Sequence, residues 1–542
     1  MPRRTGAVVL AAIPLAVLVV FFLYPVAGML DRGLRPDGHL DLGGVLDVLT
    51  RPRVHRVLWF TVWSAGLATA LAVLLGVPVA FVLHRLRFRG QGLLRAVVVL
   101  PFVLPTVVVG VAFRQLIAQG GLLGGLDLDG TPVAILGALV FFNVGVVVRT
   151  VGALWEGLDH RAEEAAAALG ATPRQVFTTV TLPALLPGIV SAASVVFLFC
   201  STAFGVVLTL GGLRYANVET EIYLLTTQEL DLTSAAALSI LQLLVITVLL
   251  AGSHRARRGA VPHAHTAAAR RPRRGDAGLV LLTAAVVGFL LTPMVSLVVA
   301  SLRDQGGWSL QHYRDLQGDG EGNALLVTAT TGLTHSLLVA VQAASFALLL
   351  GVLVAFLVSR RPRSPGAERL RALFDGVFML PLGVSAVTLG FGFLITLDRP
   401  PLDLRTSPLL VPIAQAMVAL PLVVRTVAPV LSSIDPRQRE AAASLGAGPL
   451  RVLRDVDLPL AWRSLLAATG FAFAVSLGEF GATSFLARDD HPTLPVVIFR
   501  LISHPGEANF GMATAASVVL AVATTSVMLL VERLRVSSVG AF

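Results

Sequence analysis

Long apolar runs separated by short polar stretches dominate this chain. A helix that crosses a bilayer needs about 20 predominantly apolar residues. Twelve stretches meet that length, at roughly 7–30, 57–83, 96–118, 133–155, 184–210, 233–252, 277–301, 325–358, 372–397, 408–431, 464–487 and 511–532. Several exceed what a bilayer requires, which predicts tilt or extension beyond the lipid. The first run follows Arg3 and Arg4, is long for a secretory leader and lacks a clear small-residue cleavage site. It reads as an uncleaved anchor with the N-terminus inside. The expected fold class is an all-α integral membrane protein of about twelve spans.

Composition agrees with that pattern. Of the 542 residues, 55% are hydrophobic and only 14% charged, where soluble domains carry about 25%. The single cysteine, Cys200, excludes an intramolecular disulfide and any multi-cysteine metal site. The net charge is +10, and all 42 basic residues are Arg. A P-loop needs a Lys for its phosphates, so an ATPase of that kind has no place in this chain. The arginines sit in loops between apolar helices, which favours retention on the cytoplasmic side over nucleic-acid binding.

The loops fix an orientation. Arg85, Arg87, Arg89 and Arg95 follow the second span, seven arginines from Arg255 to Arg274 follow the sixth, and Arg360, Arg361, Arg363, Arg369 and Arg371 follow the eighth. All three loops fall on the side of the N-terminus, so both termini are expected in the cytoplasm. The opposite loops are acidic or mixed: Asp127 and Asp129; Glu219, Glu221, Glu229 and Asp231; Asp489 and Asp490. One loop dissents, with Arg51, Arg53 and Arg56 on the expected outer side.

The chain also repeats itself. The stretch from Arg149 to Pro183 aligns without a gap with Arg425 to Pro459 at an offset of 276, and VAFVLHR at 79–85 recurs as VAFLVSR at 354–360. Two parallel six-helix halves are expected, 1–253 and 277–542, joined by a basic linker at 254–276. His263 and His265 in that linker have no acidic or thiol companion and read as solvated positions.

Within the repeat, Asp435-Pro436 is a helix start, with Asp as cap and Pro at the first helical position; Asp159 holds the matching place. Alanine-rich turns follow. Gly170 and Gly446 then stop the first short helix, because Gly accepts a left-handed conformation without steric cost. Thr172-Pro173 and Gly448-Pro449 start a second short helix, and Leu182-Pro183 and Leu458-Pro459 end it. Small side chains with one acidic residue, Glu164 or Glu440, form a ridge suited to a groove on a partner.

Both copies resemble the EAA motif of ATP-binding-cassette importer permeases, with Glu164, Ala165, Ala166 and Gly170 in one and Glu440, Ala441, Ala442 and Gly446 in the other. The usual Ile of that motif is Val180 and Val456. The resemblance implies the MetI-like type I importer permease fold, in which this element is the coupling helix that docks on the ATPase. It further implies two copies of a separate ATPase subunit, which bind ATP and Mg, and an extracytoplasmic solute-binding protein. This chain would bind no cofactor itself and would sit, multi-pass, in the lipid of a bacterial inner membrane.

Fused two-half permeases resemble the thiamine and ferric-iron importers. VFFN at 140–143, LTLGG at 208–212 with VETEIY at 218–223, and SLGEFG at 476–481 look most like the thiamine branch. The implied pathway and gate residues are Phe204, Gly205, Glu219, Glu221 and Tyr223 in the first half, and Glu479, Phe480 and Gly481 in the second. The two gates align at offset 276, yet Ala203 stands where the second half has Glu479. An ionisable residue in an apolar span marks a functional site by default. Two roles fit Glu479: passing a cationic solute, or fixing the gate by a hydrogen bond to a neighbouring helix. Arg149 and Arg425 read as structural or docking residues; Arg114 and Asn143 are weaker pathway candidates. A secondary transporter would need ionisable residues in several spans, and Glu479 is essentially alone.

Overall fold

The computed structural model describes residues 2–35, 38–39, 41–211, 214–257, 270–304, 307–360, 364–398 and 402–534. The linker histidines, Arg361 and Arg363 therefore lie outside the described residues. Ten helices among the described residues are long and apolar enough to cross a membrane, and two bent pairs bring the number to twelve when each counts as one span. The first half has spans at Leu10–Leu34, Pro52–Arg85, Pro132–Glu156, Pro173–Ser201 and Leu232–Leu249, with the bent pair Gln91–Val103 and Thr106–Ile117 as its third. The second half has Arg274–Ser301, Ala329–Ser359, Leu410–Ser433, Leu453–Leu477 and Glu507–Arg533, with Pro365–Gly383 and Ala386–Thr396 as the bent ninth.

The bends depart from the straight spans expected at 96–118 and 372–397. They turn the chain by 102° and 95°. In the first half, Leu104 and Pro105 are extended, with ψ of 140° at both. Proline lacks an N–H and disfavours helix at the residue before it, so the helix stops there. The second half has Ser385 at that place. Its hydroxyl accepts from Thr388 N at 3.0 Å and caps the new helix. The spans expected at 184–210 and 464–487 are also shorter. Their helices end at Ser201 and Leu477, and the residues beyond form the separate short helices Gly205–Gly211 and Thr483–Leu486.

Each half is built on a tight pair. Span 2 packs on span 4, span 8 on span 10, and the fifth and eleventh spans complete each trio. Small residues make the approach possible: span 2 buries Ala65, Ala68, Ala72, Gly76 and Ala80, and span 8 buries Ala340, Ala343, Ala347, Gly351 and Ala355. A Cβ on Gly76 would stand 2.8 Å from Val147, and one on Gly351 2.5 Å from Val423, the equivalent pair. The halves also interlock. Span 1 packs against spans 8 and 9, and span 7 against spans 2 and 3, while each still touches the sixth span of its own half.

The arginines that break the charge rule, Arg51 and Arg53, are explained by their partners. Arg53 pairs with the buried Glu221 at 2.6 Å and with Glu229 at 2.5 Å. Arg51 reaches Asp231 at 3.3 Å and Ser234 at 2.9 Å. Asp231 titrates below the usual carboxylate range: burial pushes it up, but the Ser234 and Arg51 hydrogen bonds outweigh that. These arginines neutralise the acidic loop of their own half.

A close backbone approach between two helices gives a stability test. A Cβ at Gly145 would lie 2.4 Å from the carbonyl oxygen of Val98, whereas Gly66 has open space around it. Gly145→Ala is expected to cost about 1–3 kcal/mol through overpacking and to lower the detergent-solubilised Tm. Gly66→Ala, in a helix, should leave Tm unchanged or slightly raised. Equal Tm values for the two variants would contradict this packing.

Candidate functional site: two coupling elements and a gate

The predicted coupling elements form as helix–turn–helix units. Asp159 accepts from Arg161 N at 2.9 Å and caps His160–Ala168; Asp435 accepts from Arg437 N at 2.9 Å and caps Pro436–Ser444. Gly170 has φ +88° and Gly446 φ +86°. In the first turn, Gly170 N donates to Ala167 O and Ala171 N to Ala166 O; Ala443 and Ala442 accept in the second. Glu164, Ala165, Glu440 and Ala441 are exposed, with Ala166 and Ala442 half-buried. Leu169 and Leu445, which precede the glycines, are 90% and 89% exposed. An apolar side chain so bare, at the same place in both copies, identifies the projecting tip of each element.

What fixes these elements to the spans is a pair of ionic anchors. In the first half, Arg85 at the end of span 2 bonds Glu163 at 2.5 Å, and Thr181 Oγ1 donates to Glu163 at 2.8 Å. In the second, Arg360 bonds the buried Asp457 at 2.8 Å and Arg439 bonds it at 2.7 Å. By the repeat, Arg439 stands where Glu163 does, and Asp457 where Thr181 does. The acid has moved from the coupling helix to the start of the fifth-type span, and the helix has become basic to match. Thr181 and Asp457 each close a π-turn, Phe177–Thr181 and Leu453–Asp457, which leads into spans 5 and 11. Such turns are rare and concentrate at functional positions.

The gate residues converge from both halves. Phe204 and Phe480, which are equivalent, stack with centroids 5.2 Å apart and 25° between planes. Tyr223 packs on Phe204 at 5.3 Å, and its counterpart Phe499 packs on Phe480 at 5.4 Å. Phe485 closes against Tyr223 at 5.4 Å. Five rings thus seal the contact between halves. Gly205 lies against Thr106, and Gly481 against Ala386; in each case a Cβ would stand 2.4 and 3.1 Å away. Those partners open the second limb of each bent span, so each bend buttresses the gate of its own half.

The gate helices Val218–Thr227 and Leu494–Ser503 cross over. Each packs on the bent span of the opposite half. Thr61 and Ser336, equivalent hydroxyls on spans 2 and 8, accept from Val218 N at 3.1 Å and Leu494 N at 2.7 Å. Arg114 donates to Ile502 O at 3.2 Å and ties the first bent span to the second gate helix. Glu221 is held by Arg53, and Glu219 is fully buried beside Ser385.

Glu479 is not inside a helix. It lies in the break after Leu477, where its carboxylate accepts from Ala482 N at 2.8 Å and Thr483 N at 3.1 Å. The bonds run to its own chain three and four residues on, not to a neighbouring helix, and they cap Thr483–Leu486. Thr483 continues to Gln415 at 3.1 Å, and Gln415 accepts from Ser476. The first half ties its break differently: Asn217 Nδ2 donates to Ala203 O at 2.7 Å. Asn143 bonds Leu139 O at 2.9 Å and Cys200 at 3.3 Å, at the level of Ser476 in the other half. It braces spans 4 and 5.

A family comparison matches this architecture. The model for the inner membrane component of binding-protein-dependent transport systems matches residues 72–258 and again 347–536. The chain belongs to that family. Among its relatives, the thiamine transport system permease protein ThiP of Brucella abortus (strain 2308) is 28% identical over 100% of this chain and 98% of that protein. The ThiP protein of Escherichia coli (strain K12) is 26% identical over 82% of this chain and 83% of its own length. The molybdenum permease ModB of Mycobacterium tuberculosis (strain H37Rv) is 37% identical, over 38% of this chain and 80% of its own. As a member of this family, the chain is a multi-pass membrane component of an importer that works with ATPase and solute-binding partners.

Sequence reasoning missed the anchors Glu163, Arg439 and Asp457, the tips Leu169 and Leu445, and the hydroxyls Thr61 and Ser336. The anchors were visible as paired mismatches in an otherwise strong repeat, at 163 against 439 and 181 against 457. They yield a permease test. Glu163→Arg alone sets two arginines together without an acid, as loss of one partner of a buried pair does, at about 3 kcal/mol. Adding Thr181→Asp recreates the arrangement of the second half. Tm of the purified permease should fall in the single variant and recover at least half of the loss in the double. A double variant no better than the single would refute the equivalence of the anchors.

Proposed function

We propose that this chain is the translocation subunit of a thiamine importer in a bacterial inner membrane. The reading is carried by coverage. Similarity to the Brucella thiamine permease spans both halves, gates as well as coupling elements, over 100% of this chain. The higher identity to the molybdenum permease reaches only 38% of it and so does not speak for a two-half path.

Two ATPase subunits bind ATP and Mg and dock one on each coupling element; the permease has no ATPase site and binds no cofactor. Both termini lie in the cytoplasm with the basic loops. Glu164, Ala165, Ala166 and Gly170, with Glu440, Ala441, Ala442 and Gly446, form the docking ridges, and Leu169 and Leu445 insert into the ATPase grooves. Closure of the ATPases draws the ridges together. The Arg85–Glu163 and Arg360–Asp457–Arg439 anchors carry that motion into spans 2, 5, 8 and 11. The spans part the stacked Phe204 and Phe480, and thiamine passes from the binding protein to the cytoplasm.

Two measurements test this. Proteoliposomes holding the full complex should import thiamine on ATP addition and should not import ferric iron; the reverse preference would overturn the substrate. Leu169→Glu with Leu445→Glu places charge in both docking contacts and should abolish co-isolation of the ATPase at unchanged permease yield. Retained co-isolation would remove these leucines from the interface.

A further inference from the structure

The aromatic seal has a carboxylate at its edge that neither anchoring nor capping explains. Glu219 is fully buried and sits four residues, one helical turn, before Tyr223. That spacing puts both on one face of the gate helix, about 6 Å apart along its axis. Ser385 Oγ donates to Glu219 Oε2 at 3.0 Å, and Gln242 Nε2 donates to Oε1. Thr388 Oγ1 donates to Gln242 Oε1 at 3.4 Å. These partners are neutral. Glu219 and Gln242 belong to the first half, Ser385 and Thr388 to the second.

Ser385 is followed by Ala386, which lies against Gly481, the neighbour of Phe480. The carboxylate therefore flanks the seal from two sides, through Tyr223 and through the Ser385 turn. Its counterpart by the repeat is Pro495, so the second gate has no acid there. Burying a carboxylate without a cation is costly, and the cost rises when the halves part. Ser385 then leaves with its own half, and Glu219 loses a donor beside rings that have come unstacked. Aromatic faces attract cations, the more so when desolvated.

We infer that opening of the seal assembles Glu219 with Phe204, Tyr223 and Phe480 into a selective site for an organic cation carrying a flat ring with a fixed positive charge. The solute supplies the charge that the carboxylate lacks at the moment the gate opens. This rests on the thiamine reading and deepens it, since the thiazolium ring of thiamine has that chemistry. A purely structural Glu219 would instead be replaceable by an amide of the same shape.

The test uses the reconstituted complex, with thiamine imported per ATP hydrolysed as the readout. Glu219→Gln keeps the shape, keeps one acceptor oxygen for Gln242 Nε2, presents an N–H that the Ser385 hydroxyl can accept, and removes the charge. It is expected to lower that ratio at least tenfold, with solute-free ATP hydrolysis and ATPase co-isolation unchanged. An unchanged ratio in Glu219→Gln overturns this inference alone; wild-type complex that imports no thiamine overturns the thiamine reading and the inference with it. Should Glu219→Gln fail to assemble, Tyr223 decides. Tyr223→Phe, the ring of the other half, should retain the ratio and Tyr223→Leu should lose it, and equal ratios for the two would overturn the site.

Discussion

Backbone groups cannot go unpaired in hydrocarbon, and this chain interrupts four of its helices within apolar stretches. Irregular backbone at that depth survives only where protein covers it. Much of the gate follows from this constraint. The second-half bend is covered by the Ser385 cap. The break after Ser201 is covered by Asn217, which donates to Ala203 O. The break after Leu477 is covered by Glu479, whose carboxylate takes two backbone N–H groups. Both carboxyl oxygens of Glu479 are thereby paired with backbone donors. Glu479 thus has a sufficient reason to exist in the cap it makes, and the carboxylate without such a reason is Glu219.

The same breaks bring the halves together. A helix that stops can turn its next segment across the molecule, and both gate helices do so, each packing on the opposite bent span. A straight twelve-helix bundle would have no such crossing. The stacking of Phe204 on Phe480 is its consequence: equivalent rings can meet only where the two halves face each other. Any motion that separates the halves must unstack them.

Length and hydropathy were enough to place twelve spans, because a bilayer imposes a minimum apolar length that few other structures need; the duplication was legible in the gapless match of 149–183 with 425–459. The starts and glycine stops of the repeated helix–turn–helix elements were legible, since Pro, Asp and Gly act locally at helix ends, but Leu182-Pro183 and Leu458-Pro459, expected to end the second short helix, lie inside the continuous stretches Pro173–Ser201 and Leu453–Leu477. The bends were not. Pro105 announces the first, but the second has Ser385 in its place, and a serine in an apolar run gives no such notice. The hydrogen-bond partners of Glu479 were not legible for a related reason. Composition shows that a carboxylate is buried, whereas its partners depend on where the helix ends. The outer arginines looked like an exception to the charge rule until Glu221, Glu229 and Asp231 were found beside them.

Symmetry is kept in this protein as geometry and not as residue identity. Arg85 and Arg360 hold the same places, yet each meets an acid on a different element. The acid sits on a different element in each half, yet in both it joins the end of span 2 or 8 to the repeated element and the start of span 5 or 11. The gate is different. Its rings are matched across the two halves, but Glu219 faces Pro495 and Glu479 faces Ala203 by the repeat. No exchange restores those differences. A transported solute of low symmetry meets both halves at once, and a path lined identically on both sides could not hold its charged and neutral parts differently. Unmatched carboxylates at the gate, over ionic anchors that join the same elements in both halves, are what a single chain with two halves permits and two identical subunits would not.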